Sequence, residues 1–205
     1  MRKGLKKRKK LWLLILIPVV LGLIIGAFFL FRDKAIVPFG SPILSVQTPQ
    51  KQSVGTSDTV IVDVTISDFG KERYPAASMS IAFDPNYLEF IGIKEGNVMI
   101  TGDTQTGVQL PSWSCNPEAS NRSGKINLMY LDLTAGKYAF SRDLLQKDDN
   151  VVVRLEFRFR GSVRAGDIYD LTVLDAIFAA SEEEDSLSMA QNTLNVKYGK
   201  IVMGE

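Results

Sequence analysis

Val151-Val152-Val153-Arg154-Leu155-Glu156-Phe157-Arg158-Phe159-Arg160 alternates apolar and charged residues more regularly than any other part of the chain. Val151, Val153, Leu155, Phe157 and Phe159 form one set, and Arg154, Glu156, Arg158 and Arg160 the other. A period of two puts the two sets on opposite faces of an extended strand, one toward a core and one toward water. On a helix the same residues would be spread around the whole circumference. The stretch therefore predicts a half-buried strand in a sheet with one wet face.

Working outward, the same signature recurs. Ile43–Thr48, the strongly β-branched Thr59–Ile66, Ala76–Phe83, Tyr87–Ile93, Lys125–Leu133, Tyr169–Ala179 and one or two short pieces within Leu194–Met203 all read as strands. Between them lie turn-forming residues: Gln50–Ser57, Asp68-Phe69-Gly70, Asp84-Pro85-Asn86 and Glu95-Gly96-Asn97. Residues 97–124 are the least regular, with loop material at Thr101-Gly102-Asp103 and Asn116–Gly124 flanking a possible strand around Trp113. Asp143–Gln146 allows one helical turn. About nine short strands without sustained helical periodicity predict an all-β fold, two sheets packed face to face as a jelly-roll β-sandwich. In Ala76–Phe83 the alternation sends Ala77, Met79, Ile81 and Phe83 to one face and Ala76, Ser78, Ser80 and Ala82 to the other.

The start of the chain has different physics. Arg2, Lys3, Lys6, Lys7, Arg8, Lys9 and Lys10 precede an uncharged apolar run from Leu11 to Phe31. As a helix that run spans ~31 Å, against a hydrocarbon core of ~30 Å. It is longer than the ~7–15-residue core of a signal peptide and its exit lacks a small-x-small cleavage site. Residues 11–31 are therefore expected to be an uncleaved single membrane span preceding the sandwich. The basic tail 1–10 is cytoplasmic by the positive-inside rule, 32–42 is a stalk, and the domain 43–205 is extracellular.

Composition removes several functions. The whole-chain net charge is +1, and subtracting the seven basic residues of the tail leaves about −6 for residues 11–205. A weakly acidic ectodomain argues against nucleic acid, whose phosphates select clustered Lys and Arg. The chain has no histidine, which removes Ser-His-Asp and Cys-His catalysis and imidazole acid–base chemistry. Cys115 is the sole cysteine, so no intrachain disulfide forms, and it reads as a small half-buried residue. No metal-ligand spacing or cofactor motif stands out; Glu182-Glu183-Glu184-Asp185 lacks the alternation of a Ca²⁺-binding loop and reads as a solvated turn. Asn121-Arg122-Ser123 fits a glycosylation sequon. No catalytic residue, metal site or cofactor is expected.

Five segments, in order, carry a resemblance. They are Phe83-Asp84-Pro85-Asn86-Tyr87-Leu88-Glu89-Phe90-Ile91-Gly92-Ile93 with Glu95-Gly96; Lys125–Asp132 leading to Tyr138-Ala139-Phe140; Val151–Phe159; Tyr169-x-Leu171 through Asp175-Ala176-x-Phe178-Ala179; and Gly199-Lys200-Ile201-Val202. Together they resemble the cohesin family of bacterial surface modules across residues 43–203. The resemblance implies a non-catalytic protein that grips a dockerin, a small Ca²⁺-loaded helical module carried by another protein, often a polysaccharide-degrading enzyme. It also implies a flat sheet face as the contact surface. On this chain that face takes Ala76, Ser78, Ser80 and Ala82 together with Leu128, Tyr130, Leu131 and Asp132. The family's polar Asn and Asp pair falls on Ala76 and Ser78 and a family Glu falls on Leu131, which removes charge-assisted hydrogen bonds to a partner.

Two other functions compete on the same scaffold. A carbohydrate-binding module would need exposed rings to stack on sugars, for which Trp113, Tyr130 and Tyr138 are the candidates. A glycoside hydrolase needs two carboxylates ~5–10 Å apart across a cleft, and no enclosing loops or helices are evident.

Overall fold

The computed structural model describes residues 40–49, 59–98, 110–181, 188–190 and 192–204. Among these, nine strands run in chain order: β1 (Ile43–Val46), β2 (Thr59–Ile66), β3 (Ala76–Ala82), β4 (Leu88–Glu95), β5 (Lys125–Leu131), β6 (Val151–Phe159), β7 (Ile168–Ala179), β8 (Asn195–Lys197) and β9 (Gly199–Val202). They form a five-stranded sheet in the order β4-β6-β2-β1-β8 and a four-stranded sheet in the order β5-β3-β7-β9. Strand pairs are antiparallel except β1 with β8, which run parallel. The result is the jelly-roll sandwich the alternation predicts, and all described residues belong to the unit Val37–Glu205.

Alternation decides what each sheet buries. The apolar set of β6 (Val151, Val153, Leu155, Phe157, Phe159) is buried, and Arg154, Glu156 and Arg158 face outward. Opposite it, the second sheet turns Met79, Ile81, Ile126, Leu128, Tyr130, Leu171 and Phe178 into the same core. Rings concentrate at one end of that core: Phe140 lies 4.5 Å from Tyr130, 5.5 Å from Phe69, 5.6 Å from Phe178 and 5.8 Å from Trp113, centroid to centroid. Stacked, tilted and edge-on pairs of this kind add roughly 0.5–1.5 kcal/mol each beyond their burial.

One strand end depends on a missing side chain. A Cβ on Gly96 would stand 1.9 Å from the Val151 carbonyl oxygen, so only glycine lets the end of β4 cross β6.

Two local expectations change. Asn116–Gly124 is not a loop: Pro117–Ser123 is a helix, α1. The Asn116 side chain accepts the Ala119 N–H at 3.0 Å, Pro117 opens the first turn, and Gly124 closes the helix at φ +68°. The strand around Trp113 shrinks to a single bridge between Ser114 and Met129. The expected helical turn at Asp143–Gln146 is a single 3-10 turn over Arg142–Leu144. The tail 1–10, the span 11–31, stalk residues 32–39, the turns at 50–57 and 101–103 and the acidic run 182–185 lie outside the described residues. Among the described residues no helix is long and apolar enough to cross a membrane.

Candidate functional site

β3 lies inside the four-stranded sheet, between β5 and β7. Ala77, Met79 and Ile81 are buried, so Ala76, Ser78, Ser80 and Ala82 line the outer side, as the alternation predicts. The register on both flanks builds four rows: Leu131–Ala76–Ala179, Met129–Ser78–Ile177, Asn127–Ser80–Asp175 and Lys125–Ala82–Thr172. A bulge between Ser80 and Ile81 leaves Leu174 as an extra residue beside Asp175, and its side chain is 54% exposed. The face thus has two apolar rows at one end and two polar rows at the other. Between the halves, the Ser80 hydroxyl donates to the Asn127 carbonyl oxygen at 2.9 Å.

β5 has the opposite phase from the one expected. Leu128 and Tyr130 are each 2% exposed and belong to the core, and Asp132 beyond the strand end is buried too. Of that expected group only Leu131 reaches the outer face, in company with Asn127 and Met129. The cause is geometric: once Ile126 is inside, every second residue follows it, and a strand's two side-chain sets exchange faces only together. The buried phase is secured by Tyr130, whose ring packs against Phe140 and Trp113 and whose hydroxyl donates to the Tyr138 carbonyl at 2.6 Å. Burial pushes the Tyr130 phenol well above its usual range. The polar residues Lys125 and Asn127 were the available signal for this phase. The apolar character of Met129 and Leu131 hid it.

Asp132 has a different task from partner contact. Its carboxylate accepts the N–H and the hydroxyl of Thr134 at 2.8 and 2.5 Å and the N–H of Tyr138 at 2.9 Å. Those bonds fold the turn that displays Leu133, which is 83% exposed next to Leu131. Because a buried carboxylate is stable only when its oxygens are bonded, Asp132 acts as the clamp under this edge of the face.

Met129 is 60% exposed and separates two grooves of about 370 Å³ each. Ser78, Ser80, Asn127 and Cys115 border one, and Pro111, Leu131, Leu133 and Thr134 the other. Ser114 holds the ridge by exchanging backbone hydrogen bonds with Met129 at 2.8 and 3.1 Å. Cys115 is half-buried, and burial raises its thiol above the ordinary value.

The outer face of the five-stranded sheet is chemically different. Arg154 pairs with Asp63 at 3.3 Å, Lys94 with Glu156 at 3.3 Å and Arg158 with Glu89 at 3.8 Å. Among the described residues, no ion pair of this kind crosses β5, β3 and β7.

The rings proposed for sugar stacking are not available for it. Trp113, Tyr130 and Tyr138 are 5%, 2% and 5% exposed, and the Trp113 indole N–H is spent on the Val152 carbonyl at 3.1 Å. The sequon asparagine is also occupied: Asn121 accepts from the Phe90 N–H and donates to its carbonyl, both at 2.8 Å, tying α1 to β4.

With this geometry in place, comparison with known proteins adds the following. The Cohesin domain model matches residues 44–197. No curated protein matches the sequence. Among solved structures, the chain is similar to the third cohesin of ScaC from Acetivibrio cellulolyticus, solved with the ScaB dockerin, at 15% identity and TM-score 0.58, over 80% of this chain and 99% of that one. It is similar over the same shares to the sixth cohesin of scaffoldin B from that organism, solved with a Cel5 dockerin mutant, at 20% identity and TM-score 0.58. The Coh-OlpA–Doc918 complex of Clostridium thermocellum matches at 16% identity and TM-score 0.58, again over 80% and 99%. At these identities the structural likeness establishes the fold.

Proposed function

This chain belongs to the cohesin family, and we propose that its β5–β3–β7 face grips a dockerin-like module while residues 11–31 anchor it in a membrane. The module it holds would tether another protein, such as a polysaccharide-degrading enzyme, to the cell surface. The reading requires no catalytic step and no bound cofactor.

One observation carries it. In a chain of this family, Met129, Leu131, Leu133 and Leu174, four of the eight large apolar side chains exposed among the described residues, gather on or beside one sheet face. Exposed sheet surfaces are ordinarily guarded by charge, and concentrated apolar exposure marks interaction surfaces. The central column Ala76, Ser78, Ser80 and Ala82 keeps the sheet low, so that a partner helix can approach its backbone.

The test uses the full chain in detergent with a panel of Ca²⁺-loaded dockerins. A complex should form, and Ser78→Arg should weaken it by roughly 100-fold, as loss of a central contact does. Glu156→Lys on the opposite sheet should leave the affinity unchanged. Absence of binding across a broad panel would overturn the reading. The anchor is tested separately by protease treatment of intact cells, which should digest residues 43–205 and spare the basic tail.

A further inference from the structure

We propose that the chain carries a second binding site, for a neutral oligosaccharide, in the groove where the β3–β4 and β6–β7 turns meet the polar ends of β3 and β7. Tyr87 is the ring on which a sugar stacks. The site takes a different class of ligand from the face around Met129 and stands without the dockerin reading.

The groove encloses about 680 Å³, within the ~300–1,000 Å³ range of small-ligand sites. Tyr87, Pro85 and Ile168 give it apolar walls, and Asp84, Asp167 and Asp170 give it a polar rim. Both turns are tied internally. The Asp84 carbonyl accepts the N–H groups of Tyr87 and Leu88 at 3.3 and 3.0 Å, and the Arg164 carbonyl accepts the Asp167 N–H at 3.1 Å. The walls are thus in place before a ligand arrives, which lowers the cost of ordering on binding.

Tyr87 is the telling residue. Its carbonyl accepts the Arg160 N–H at 2.7 Å, which fixes the backbone beneath the ring to the end of β6. Its ring centroid lies 5.9 Å from that of Tyr169, which in turn packs 5.5 Å from Phe159. The ring is therefore supported from the core side, yet Tyr87 remains 54% exposed. Ile168, across the groove, is 55% exposed. A large ring held in place and left to solvent beside a cleft is a platform for a flat apolar surface.

The rim selects among ligands with such a surface. No lysine or arginine lines the groove among the described residues, so a phosphate or uronate would meet carboxylates without a counter-charge. A purely apolar ligand would strip water from those carboxylates and supply no donor. A basic side chain would find much of the charge already met. One oxygen of Asp84 accepts the backbone and side-chain N–H groups of Asn86, both at 2.9 Å. One oxygen of Asp167 accepts the Arg164 N–H at 2.8 Å and the Tyr169 hydroxyl at 3.3 Å, and Lys200 stands opposite Asp170 in register. What is left is a set of separate acceptor oxygens. A pyranose matches both features: its C–H face lies against the ring, and hydroxyls spread around its edge donate to acceptor-only carboxylates.

The experiment titrates the full chain, in a detergent without sugar head groups, with neutral hexasaccharides of glucose, xylose, mannose and N-acetylglucosamine, with oligogalacturonate and with hexalysine. At least one neutral hexasaccharide should bind, and more tightly than oligogalacturonate or hexalysine. Tyr87→Ala should weaken that binding by at least ~10-fold, as loss of a central aromatic contact does. Tyr87→Phe, which keeps the ring, should stay within about threefold of the unaltered chain. Tyr198→Ala removes another exposed tyrosine, outside the groove, and should change nothing. An unchanged thermal melt verifies that each variant keeps the fold. Absence of binding to every neutral hexasaccharide, equal losses in Tyr87→Ala and Tyr198→Ala, or tightest binding to hexalysine or oligogalacturonate overturns the proposal.

Discussion

The outer faces of the two sheets begin from the same kind of strand and end with opposite chemistry. On the β4-β6-β2 side, opposite charges meet across the strands: Asp63 stands opposite Arg154 and Glu89 opposite Arg158, and Lys94 reaches the neighbouring Glu156. That surface is satisfied by itself. On the β5-β3-β7 side the cross-strand neighbours are Ser78 with Met129 and Ile177, and Ala76 with Leu131 and Ala179. Burial of the inward set is equally complete in both sheets, so core packing alone does not account for the outward residues. A satisfied surface repels association and an unsatisfied one invites it. The contrast makes a sharp set of expectations.

The largest effect concerns where each face stores its carboxylates. Asp132 is buried beneath the apolar face and bonded by two N–H groups and a hydroxyl. Asp132→Ala strands the Thr134 and Tyr138 donors and should cost about 2–4 kcal/mol in a urea unfolding experiment. Asp63→Ala, which removes a half-exposed partner of Arg154, should cost less than ~1 kcal/mol. Equal losses would mean that the turn at Leu133 does not depend on its clamp.

The same contrast shows what could be read from the sequence. β6 was legible from Val153 to Phe159 because Arg154, Glu156 and Arg158 are all charged, which leaves one phase open; Val152, in the outward phase yet fully buried, departs from the alternation at the start of the strand. β3 was legible because Ala76, Ser78 and Ser80 are small beside Met79 and Ile81. β5 was not, because a strand with Met129 and Leu131 outside and Leu128 and Tyr130 inside is apolar on both faces, and the period of two fades. That loss of signal is itself the mark of a surface meant to be covered. α1 failed for a different reason. Its caps, Asn116, Pro117 and Gly124, were all present, but seven residues without an apolar stripe give no periodicity to detect. The clamp role of Asp132 needs the distant turn at Tyr138, and no local pattern encodes it.

Alkali should attack the apolar-faced sheet first. Tyr130 and Tyr169 point inward from β5 and β7, whereas the buried residues of β4, β6, β2 and β1 include no tyrosine. Burial, helped by nearby carboxylates, raises both phenols, Tyr169 to about 12. A phenol whose folded pKa exceeds its unfolded value near 10 contributes stability that is complete below about pH 10 and lost as the pH climbs through the folded value. Stability should therefore fall above pH 10, and phenolate absorbance from these two residues should appear with unfolding or at about pH 12. Tyr130→Phe should soften the fall. A protein that keeps its full stability through pH 12 would contradict the sign.

Ionic strength should separate the faces more gently. Contacts over Met129 and Leu131 are apolar, so dockerin affinity should change less than roughly threefold between 0.1 and 1 M salt, where exposed charge pairs are screened. A steep decline on a calorimetric titration would place the contact on charged residues and sink the apolar assignment of the face.

The smallest expected effect lies between the sheets, at the turn from β2 to β3. Arg142 donates to both oxygens of Asp68 at 3.0 and 2.6 Å, and the Gly70 N–H adds a bond at 3.1 Å. The Arg142 hydrogen bond is the main reason the Asp68 carboxyl titrates below its ordinary value. A lowered folded pKa gives stability that is present above the unfolded value near 4 and disappears as pH falls through the folded one. Both side chains are more than a third exposed, so solvent screening should hold the contribution to a few tenths of a kcal/mol. Asp68→Asn should thus flatten the stability curve slightly below pH 4 and leave pH 7 almost unaltered. A large loss at neutral pH would show that this exposed pair holds the sandwich together as a buried group would, and the division between a self-satisfied charged surface and an unsatisfied apolar one would no longer describe how the domain is stabilised.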